Sequence, residues 1–542
     1  VIPSTVTQIR GSAFRFCRQL TAVILPTGLQ GMQGDAFADC SSLDYIECQA
    51  VEPPAIEEST FSGVEKNNFT VVVPTSAVEA YKAAPYWSEF RRISSDSKFV
   101  CRPMQAKLLN KGNVREVVLN ANTQWTVQSC PNWIHVDKTS GTKKTELKIT
   151  IDNMSHHQGD REGSVVFRLA RNDEDGNPIT CTYTVKQFDY EIEEDEVLTL
   201  QTATQGINGG IDILFVGDGY DAEDIARGTY RTDMEEEMEY FFGVEPYKTY
   251  QQYFNVSIAM AMSYESGMQD SPDKWRNTKF NITWGAGDNG RLSVPFEDIA
   301  DYVLTDIVQS PVTASNISRS LIICVPNSDA YEGLTAMYAD GSAIAVCPMS
   351  KFDYPNDARG LIQHEAGGHG WAKLDDEYVY HRDNIHTCQC PCCGHVSAVE
   401  TMHAMGWGRN VSLNGKYGSV EWKHLIPHPK YSDIVDIYEG SHMHSQGIYR
   451  SELNSCMNNN VPYFSTWSRQ LIVERIKDAA GETFDFSDFV QHDSRAYGSK
   501  FLTRSMNDTP WQQVKAMHSE GHGPVIKAGS PVDYLKKKGG KR

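Results

Sequence analysis

The densest concentration of groups able to do chemistry runs from Leu361 to Tyr378 and holds His364, Glu365, His369, Asp375, Asp376 and Glu377. Two neutral imidazoles can hold a Lewis-acidic zinc ion that keeps one position open, and a carboxylate beside it can take the proton of an attacking water. In His-Glu-x-x-His on a helix, positions i and i+4 put both ligands on one face. Here the histidines are five residues apart, so a regular helix would set them roughly 140° apart, against roughly 40° for the shorter spacing. They converge only if the turn between them is widened by one residue, a π-bulge. The pair Gly367-Gly368 makes that distortion sterically easy. Taken alone, the pattern equally fits two histidines on a helix surface.

A second concentration is Cys388-Gln389-Cys390-Pro391-Cys392-Cys393, flanked by His386 and His395. Thiolate and imidazole are zinc ligands, so a second metal is one reading. A disulfide-stapled loop is the preferred one for an extracytoplasmic chain. The 13 cysteines of the chain leave at least one unpaired if the rest form disulfides. Fifty basic and seventy acidic residues give a net charge of −20, a poor match to nucleic acid or an anionic membrane surface. No run of apolar residues approaches the ~18 needed for a transmembrane helix. The 542 residues, 40% of them apolar, suffice for several ordinary cores.

Stepping along the chain, an internal repeat comes first. Pro3, Val6, Ile9, Ala13-Phe14, Cys17 and Leu20 return 23 residues later as Pro26, Leu29, Met32, Ala36-Phe37, Cys40 and Leu43, within the leucine-rich-repeat range. Such units stack and bury Phe, Cys and Leu inside a solenoid. A third, degenerate unit passes through Pro53-Pro54, Phe61 and Val71–Val73 and ends near Tyr81 and Trp87. Residues 1–95 resemble the C-terminal end of BspA-type leucine-rich repeats of bacterial surface proteins. Because the chain opens inside a repeat, further repeats are expected upstream. Residues 98–190 alternate with a period of two in Val114–Leu119, Gln124–Val127, Leu147–Ile151 and Ser164–Leu169, which predicts an all-β sandwich. Trp125 and Trp133 are expected in its core, with stacking on sugar rings as the alternative. The set Trp125-Thr-Val, Trp133-Ile, Ser140-Gly141, Arg161-Glu-Gly163 and Val185-Lys-Gln187 resembles a BACON domain of Bacteroidetes proteins. The acidic run Glu191–Glu196 reads as a linker.

From 197 the pattern becomes α/β. Ile211–Gly217, Phe254–Met262, Leu321–Val325 and Gly341–Cys347 are expected strands, with helices over Asp221–Phe242 and Phe296–Gln309. Gly341–Cys347 is the expected edge strand for an extended substrate. The run Leu374-x-Asp376-Glu377-Tyr378 is similar to the end of the zinc motif in M64 peptidases, the group containing the bacterial IgA protease. Asp218-Gly219-Tyr220, Tyr253-Phe254-Asn255, Ser263-x-Glu265-Ser-Gly267, Ile437-Tyr438-Glu439-Gly440, Gly447-Ile-Tyr449-Arg450 and Asn454-Ser-Cys456-Met457 also fit, in order, across 197–480. The family usually shows His-Glu-x-x-His; here one extra residue lies upstream of His369. A His-Glu-x-x-Gly-His variant occurs in dipeptidyl-peptidase-like zinc enzymes.

The resemblance implies a multidomain chain: a leucine-rich-repeat end (1–95), an all-β sandwich (98–190) and an α/β zincin-like, metzincin-type peptidase domain (197–535). It implies zinc as cofactor, with His364 and His369 as ligands and Glu365 as general base. Asp376 is the implied third ligand, Glu377 the runner-up, and Asp375 ranks third because the family usually has Ala there. Met457 would form an apolar floor under the metal. Tyr449, His442 and His444 are candidates for oxyanion stabilisation, each also readable as structural. The expected function is hydrolysis of peptide bonds in extracellular host or dietary proteins and glycoproteins, as an endopeptidase, by a secreted or surface-attached enzyme. The alternative is a surface adhesin or glycan-binding protein with an inactive peptidase domain. No nucleic-acid partner and no transmembrane segment are expected.

Overall fold

The computed structural model describes residues 2–66, 69–94, 99–121, 123–172, 177–268, 276–284, 292–353, 355–388, 395–495 and 523–539. The repeat period becomes two parallel ladders. Gln8–Ile9, Gly31–Met32 and Ala55–Ile56 form one sheet; Ala22–Leu25, Tyr45–Cys48, Thr70–Val72 and Arg92–Ser94 form the other. Gln8 pairs with Gly31 and Ala22 with Tyr45, so equivalent side chains stack. Phe14 lies on Phe37 at 5.0 Å and Phe37 on Phe61 at 5.5 Å. Tyr81 and Trp87, both buried, close the end of the stack.

The next unit is a sandwich of two sheets. One contains Val100–Arg102, Val114–Asn120, Ile134–Val136 and Thr145–Ile151; the other contains Gln105–Leu108, Trp125–Ser129, Ser140–Gly141, Arg161–Asn172 and Pro178–Gln187. Alternate residues Leu147, Ile149 and Ile151 point inward, as period-two burial requires. Trp125 is buried in this core, and half-buried Trp133 lies under the Arg161 guanidinium at 4.2 Å. The acidic run expected to be a linker is docked instead. Asp195 N–H donates to the Met260 carbonyl at 3.0 Å, and Lys279 Nζ pairs with Asp195 at 3.0 Å and Glu194 at 3.4 Å. Leu109 and Phe188 of the sandwich share an apolar cluster with Ile211 and Phe254, and Lys107 Nζ pairs with Asp221 at 2.7 Å. The boundary near 190–197 is therefore packed.

The last unit is built on a seven-stranded sheet. We label its strands β1 (Val197–Gln201), β2 (Ile211–Asp218), β3 (Phe254–Ala259), β4 (Leu321–Pro326), β5 (Leu334–Tyr338), β6 (Ala343–Val346) and β7 (Val525–Lys527). Their order is β1-β3-β2-β4-β6-β5-β7. β3, β2, β4 and β6 run parallel, β5 is antiparallel to β6, and β7 is parallel to β5. Ile213 and Phe215 of β2 face one apolar layer while Leu214 and Val216 face the other, the two-sided burial of a covered sheet.

Three sequence expectations need correction here. Gly341–Cys347 supplies β6, which lies between β4 and β5 and is no edge; its wholly apolar run reflects burial on both faces. The expected helix Asp221–Phe242 is two, Ala222–Ala226 and Thr229–Phe242, broken at Gly228 with φ +88°. The segment expected as a helix to Gln309 is α-helical over Phe296–Asp301 and π-helical over Tyr302–Asp306. Among the described residues, no helix is long and apolar enough to cross a membrane.

Candidate metal and active site

The helix Ala358–Ile362, capped by the Asp357 carboxylate accepting from Gly360 N–H, continues as a π-helical segment over Gln363–Trp371. The wider turn turns His369 back toward His364 despite the five-residue spacing. Their Nε2 atoms are 3.1 Å apart. Two close contacts explain why glycine stands at this turn. A Cβ on Gly368 would lie 2.1 Å from Met457 Sδ, and one on Gly367 would lie 3.1 Å from the Tyr247 ring, whose hydroxyl donates to the Gly367 carbonyl at 2.6 Å. Met457 therefore packs against the helix backbone beneath the histidines, on the short helix Cys456–Asn459.

Beyond Trp371 the chain leaves the helix through Lys373, with φ +56°, and returns Asp376 to the histidines. Asp376 Oδ1 is 3.0 Å from His364 Nε2 and 3.2 Å from His369 Nε2. All three side chains are buried. The other ring nitrogens are tied off: His364 Nδ1 donates to the Cys456 carbonyl at 3.2 Å, and His369 Nδ1 to the Leu374 carbonyl at 2.9 Å. Carbonyls accept only, so both Nδ1 atoms carry hydrogens, and two Nε2 lone pairs and a carboxylate face one point. With both imidazoles neutral, these acceptors call for a cation between them, whether a metal ion or a proton on His369. Asp376 Oδ2 is likewise buried without a hydrogen-bond partner among the described residues. The electrostatics agree. Burial disfavours charge on His369, yet the Asp376 carboxylate holds its imidazole up at about 9. Burial would raise Asp376, but His369 and His364 hold it well below the usual carboxylate range. The donor set, two imidazoles and one carboxylate, fits a metal with a position to spare.

The other two acids of the run point elsewhere. Asp375 accepts from His442 Nδ1 at 2.9 Å, and its oxygen receives the Asp376 N–H at 2.8 Å. Glu377 accepts from Ser455 Oγ and from Asn410 Nδ2 at 3.0 Å, and burial pushes its carboxyl up to about 7. Asn410 also donates to the Asp375 carbonyl at 2.8 Å. These bonds orient Asp376 from behind, as outer partners of a metal site do. Glu365 is the one residue from 364 to 371 that is not fully buried. Its carboxylate accepts from Thr335 Oγ1 at 2.7 Å and lies against Gly333, where a Cβ would come within 2.4 Å of Glu365 Cγ. Residues 333–335 thus form one wall beside Glu365. Sequence reasoning missed Thr335, Gly333 and Asn410; no spacing relates them to the histidines.

His442 is engaged by Asp375, Tyr449 donates to Glu439 at 3.3 Å, and His444 lies against Asp383. His442 is thus spent on Asp375 behind Asp376, while Tyr449 and His444 are engaged by other acids. At the open side, β7 covers the outer edge of β5 from Ala336 to Tyr338. A Cβ on Gly523, just before β7, would lie 3.3 Å from Asp376 Oδ2.

Residues 200–416 match the family model described as IgA Peptidase M64, and residues 1–84 match the BspA type leucine rich repeat region. No curated protein matches the chain. Among solved structures, a Bacteroides ovatus GH5 xyloglucanase is 13% identical over 20% of this chain and 24% of its own length, with TM-score 0.14. A protein of unknown function from Porphyromonas gingivalis is 11% identical over 21% of this chain and 57% of its own, also at 0.14. The ASH / PapD-like domain of human CEP192 is 12% identical over 17% of this chain and 85% of its own, at 0.13. None of these reaches the scale of a shared overall fold. Residues 200–416 are thus similar to the IgA Peptidase M64 family, and residues 1–84, which precede them, to the BspA-type leucine-rich-repeat region.

Proposed function

We propose that this protein is a zinc-dependent peptidase of zincin-like, metzincin type that cleaves extracellular proteins and glycoproteins. The observation that carries the reading is the convergence of His364, His369 and Asp376 as acceptors only, with Glu365 held at the open side. His364, His369 and Asp376 would hold the zinc, which when bound would supply Lewis acidity at the scissile carbonyl and at the attacking water. Glu365 takes the proton of the attacking water at its carboxylate and returns it to the leaving nitrogen. Thr335 Oγ1 orients that carboxylate and leaves its second oxygen for the water. The Asp375–His442 and Glu377–Asn410 contacts keep Asp376 aimed. Two accessory units, the repeats and a BACON-like sandwich, precede the peptidase domain at 197–535, and the BspA-type repeats suit a secreted or surface-attached protein.

Glu365→Gln tests the reading, because an amide cannot accept the water's proton. The variant should keep its zinc and lose more than about 100-fold in peptide turnover. Wild-type turnover with intact zinc would remove Glu365 from the mechanism. A wild-type chain that hydrolyses no peptide with zinc bound would leave the adhesin reading in its place.

A further inference from the structure

Asp383, Cys388 and His444 make a second convergence, away from the Glu365 cleft. Asp383 lies near the end of the strand Val379–Asn384, Cys388 follows the turn after it, and His444 lies on Met443–Arg450. The two strands pair in parallel, His381 opposite His444 and Asn384 opposite Gln446. One ligand atom from each of the three side chains lies within 4.8 Å of the others, and His444 Nε2 is 3.8 Å from Asp383 Oδ1. In a tetrahedral site with bonds of about 2.0–2.3 Å, donor atoms sit roughly 3.3–3.6 Å apart. The His444–Asp383 pair is within a few tenths of an ångström of that spacing, and from the 4.8 Å bound on the three atoms the closure needed is at most about 1–1.5 Å.

The protonation pattern repeats that of the first centre. His444 is fully buried, and its Nδ1 donates to the His442 carbonyl at 2.7 Å, which turns the Nε2 lone pair toward Asp383 and Cys388. Asp383 Oδ1 is out of solvent with no hydrogen-bond partner among the described residues. The Asp383 side chain is 45% exposed, so its charge keeps water at the other oxygen, and a cation between Oδ1, a thiolate and an imidazole would supply the partner that Oδ1 lacks. We propose that Asp383, Cys388 and His444 bind a second metal ion, with zinc the ion suited to thiolate, imidazole and carboxylate together. Binding releases the Cys388 thiol proton to solvent and leaves a fourth position to water. Cys390, Cys392 and Cys393 lie outside the described residues and are no part of the proposal. The ion would clamp the turn after Asn384 to the strand Met443–Arg450, which carries His444 and begins just after His442. Through His442 and Asp375 it would steady Asp376 from a distance. Its role is structural, and it does not depend on peptidase activity.

Elemental analysis of the full chain, loaded with zinc and freed of excess, should find about two ions per chain. His364→Ala and Cys388→Ser should each retain about one. Cobalt substitution identifies which, because only the second site offers a thiolate. The thiolate-to-cobalt charge-transfer band should be present in wild type and in His364→Ala and lost in Cys388→Ser. Should Cys388→Ser fold poorly, Asp383→Asn gives the same readout by shifting the band. A wild-type chain with one zinc that His364→Ala removes would overturn the proposal. So would a band that survives Cys388→Ser, or an intact mass showing Cys388 in a disulfide. Two bound zinc ions without peptide turnover would sink the peptidase reading and leave this one standing.

Discussion

The repeat unit and the histidine centre are both built largely of buried side chains, and they are buried in opposite ways. In the repeats, Phe14, Phe37 and Phe61 form a column of stacked rings among Leu25, Ile46 and Val71. At the centre, Asp375, Asp376, Glu377, His364, His369 and His442 are all buried together. Apolar burial is non-directional, so loss at one position costs area and leaves a cavity. Buried charge is directional, so loss of one partner strands the others. Damage to the first should therefore be read in stability, and damage to the second in metal and turnover.

The largest effect is expected at Asp376. Asp376→Ala should empty the first zinc site and abolish turnover, whereas Asp375→Ala, which removes only the support from behind, should weaken zinc by about 10–100-fold. Zinc content measured on both variants decides this. If Glu377→Ala proves to be the change that empties the site, the ligand assignment moves by one residue. Phe37→Ala should cost about 3–5 kcal/mol in the repeat unit, seen as a lower unfolding midpoint in urea, with zinc content and turnover at wild-type level below the transition. A loss of zinc there would break the contrast. Gly368→Val comes next. Its Cβ meets Met457 Sδ at 2.1 Å, an overpacking of about 1–3 kcal/mol. It should lower zinc affinity with the fold retained, which circular dichroism and zinc titration check together.

The smallest expected effect sharpens the same contrast inside the peptidase unit. Glu237, on the helix Thr229–Phe242, is buried with neither carboxylate oxygen hydrogen-bonded among the described residues. Burial pushes its carboxyl well above the ordinary 4.5. The folded protein keeps that proton while the unfolded chain loses it, so the stability it contributes is full below about pH 4.5 and is lost as pH rises through the folded value. The slope is at most about 1.4 kcal/mol per pH unit. Glu237→Gln should flatten the pH dependence of unfolding between about pH 5 and pH 7. An unchanged slope would mean that water reaches the group.

Legibility follows the same division. The ring column repeats in sequence because it repeats in space, so Phe14 and Phe37 announce each other. The histidines and the glycines between them were readable because their chemistry and the widened turn are local. The choice among Asp375, Asp376 and Glu377 rested on likeness alone, because their directions are set by His442, Asn410 and Ser455, remote in sequence. The edge assignment failed because a wholly apolar run marks a strand covered on both sides, while the strand beside Glu365 carries Thr335 and follows Gly333. β7 is three residues long, too short to show any period. The packed boundary at 190–197 was hidden because acidic residues read as solvated, and Lys279 lies far along the chain.

That short strand also sets a schedule. β5 and β6 are made together, but the strand that covers the outer edge of β5 is supplied by residues 525–527, long after the rest of the sheet. During synthesis the repeats and the sandwich can form first, domain by domain. The Glu365 side of the sheet meanwhile carries an unpaired edge, the kind of surface that recruits other strands. The nascent protein thus carries an edge open to stray pairing beside Glu365, which the residues of β7 can cover only late in synthesis.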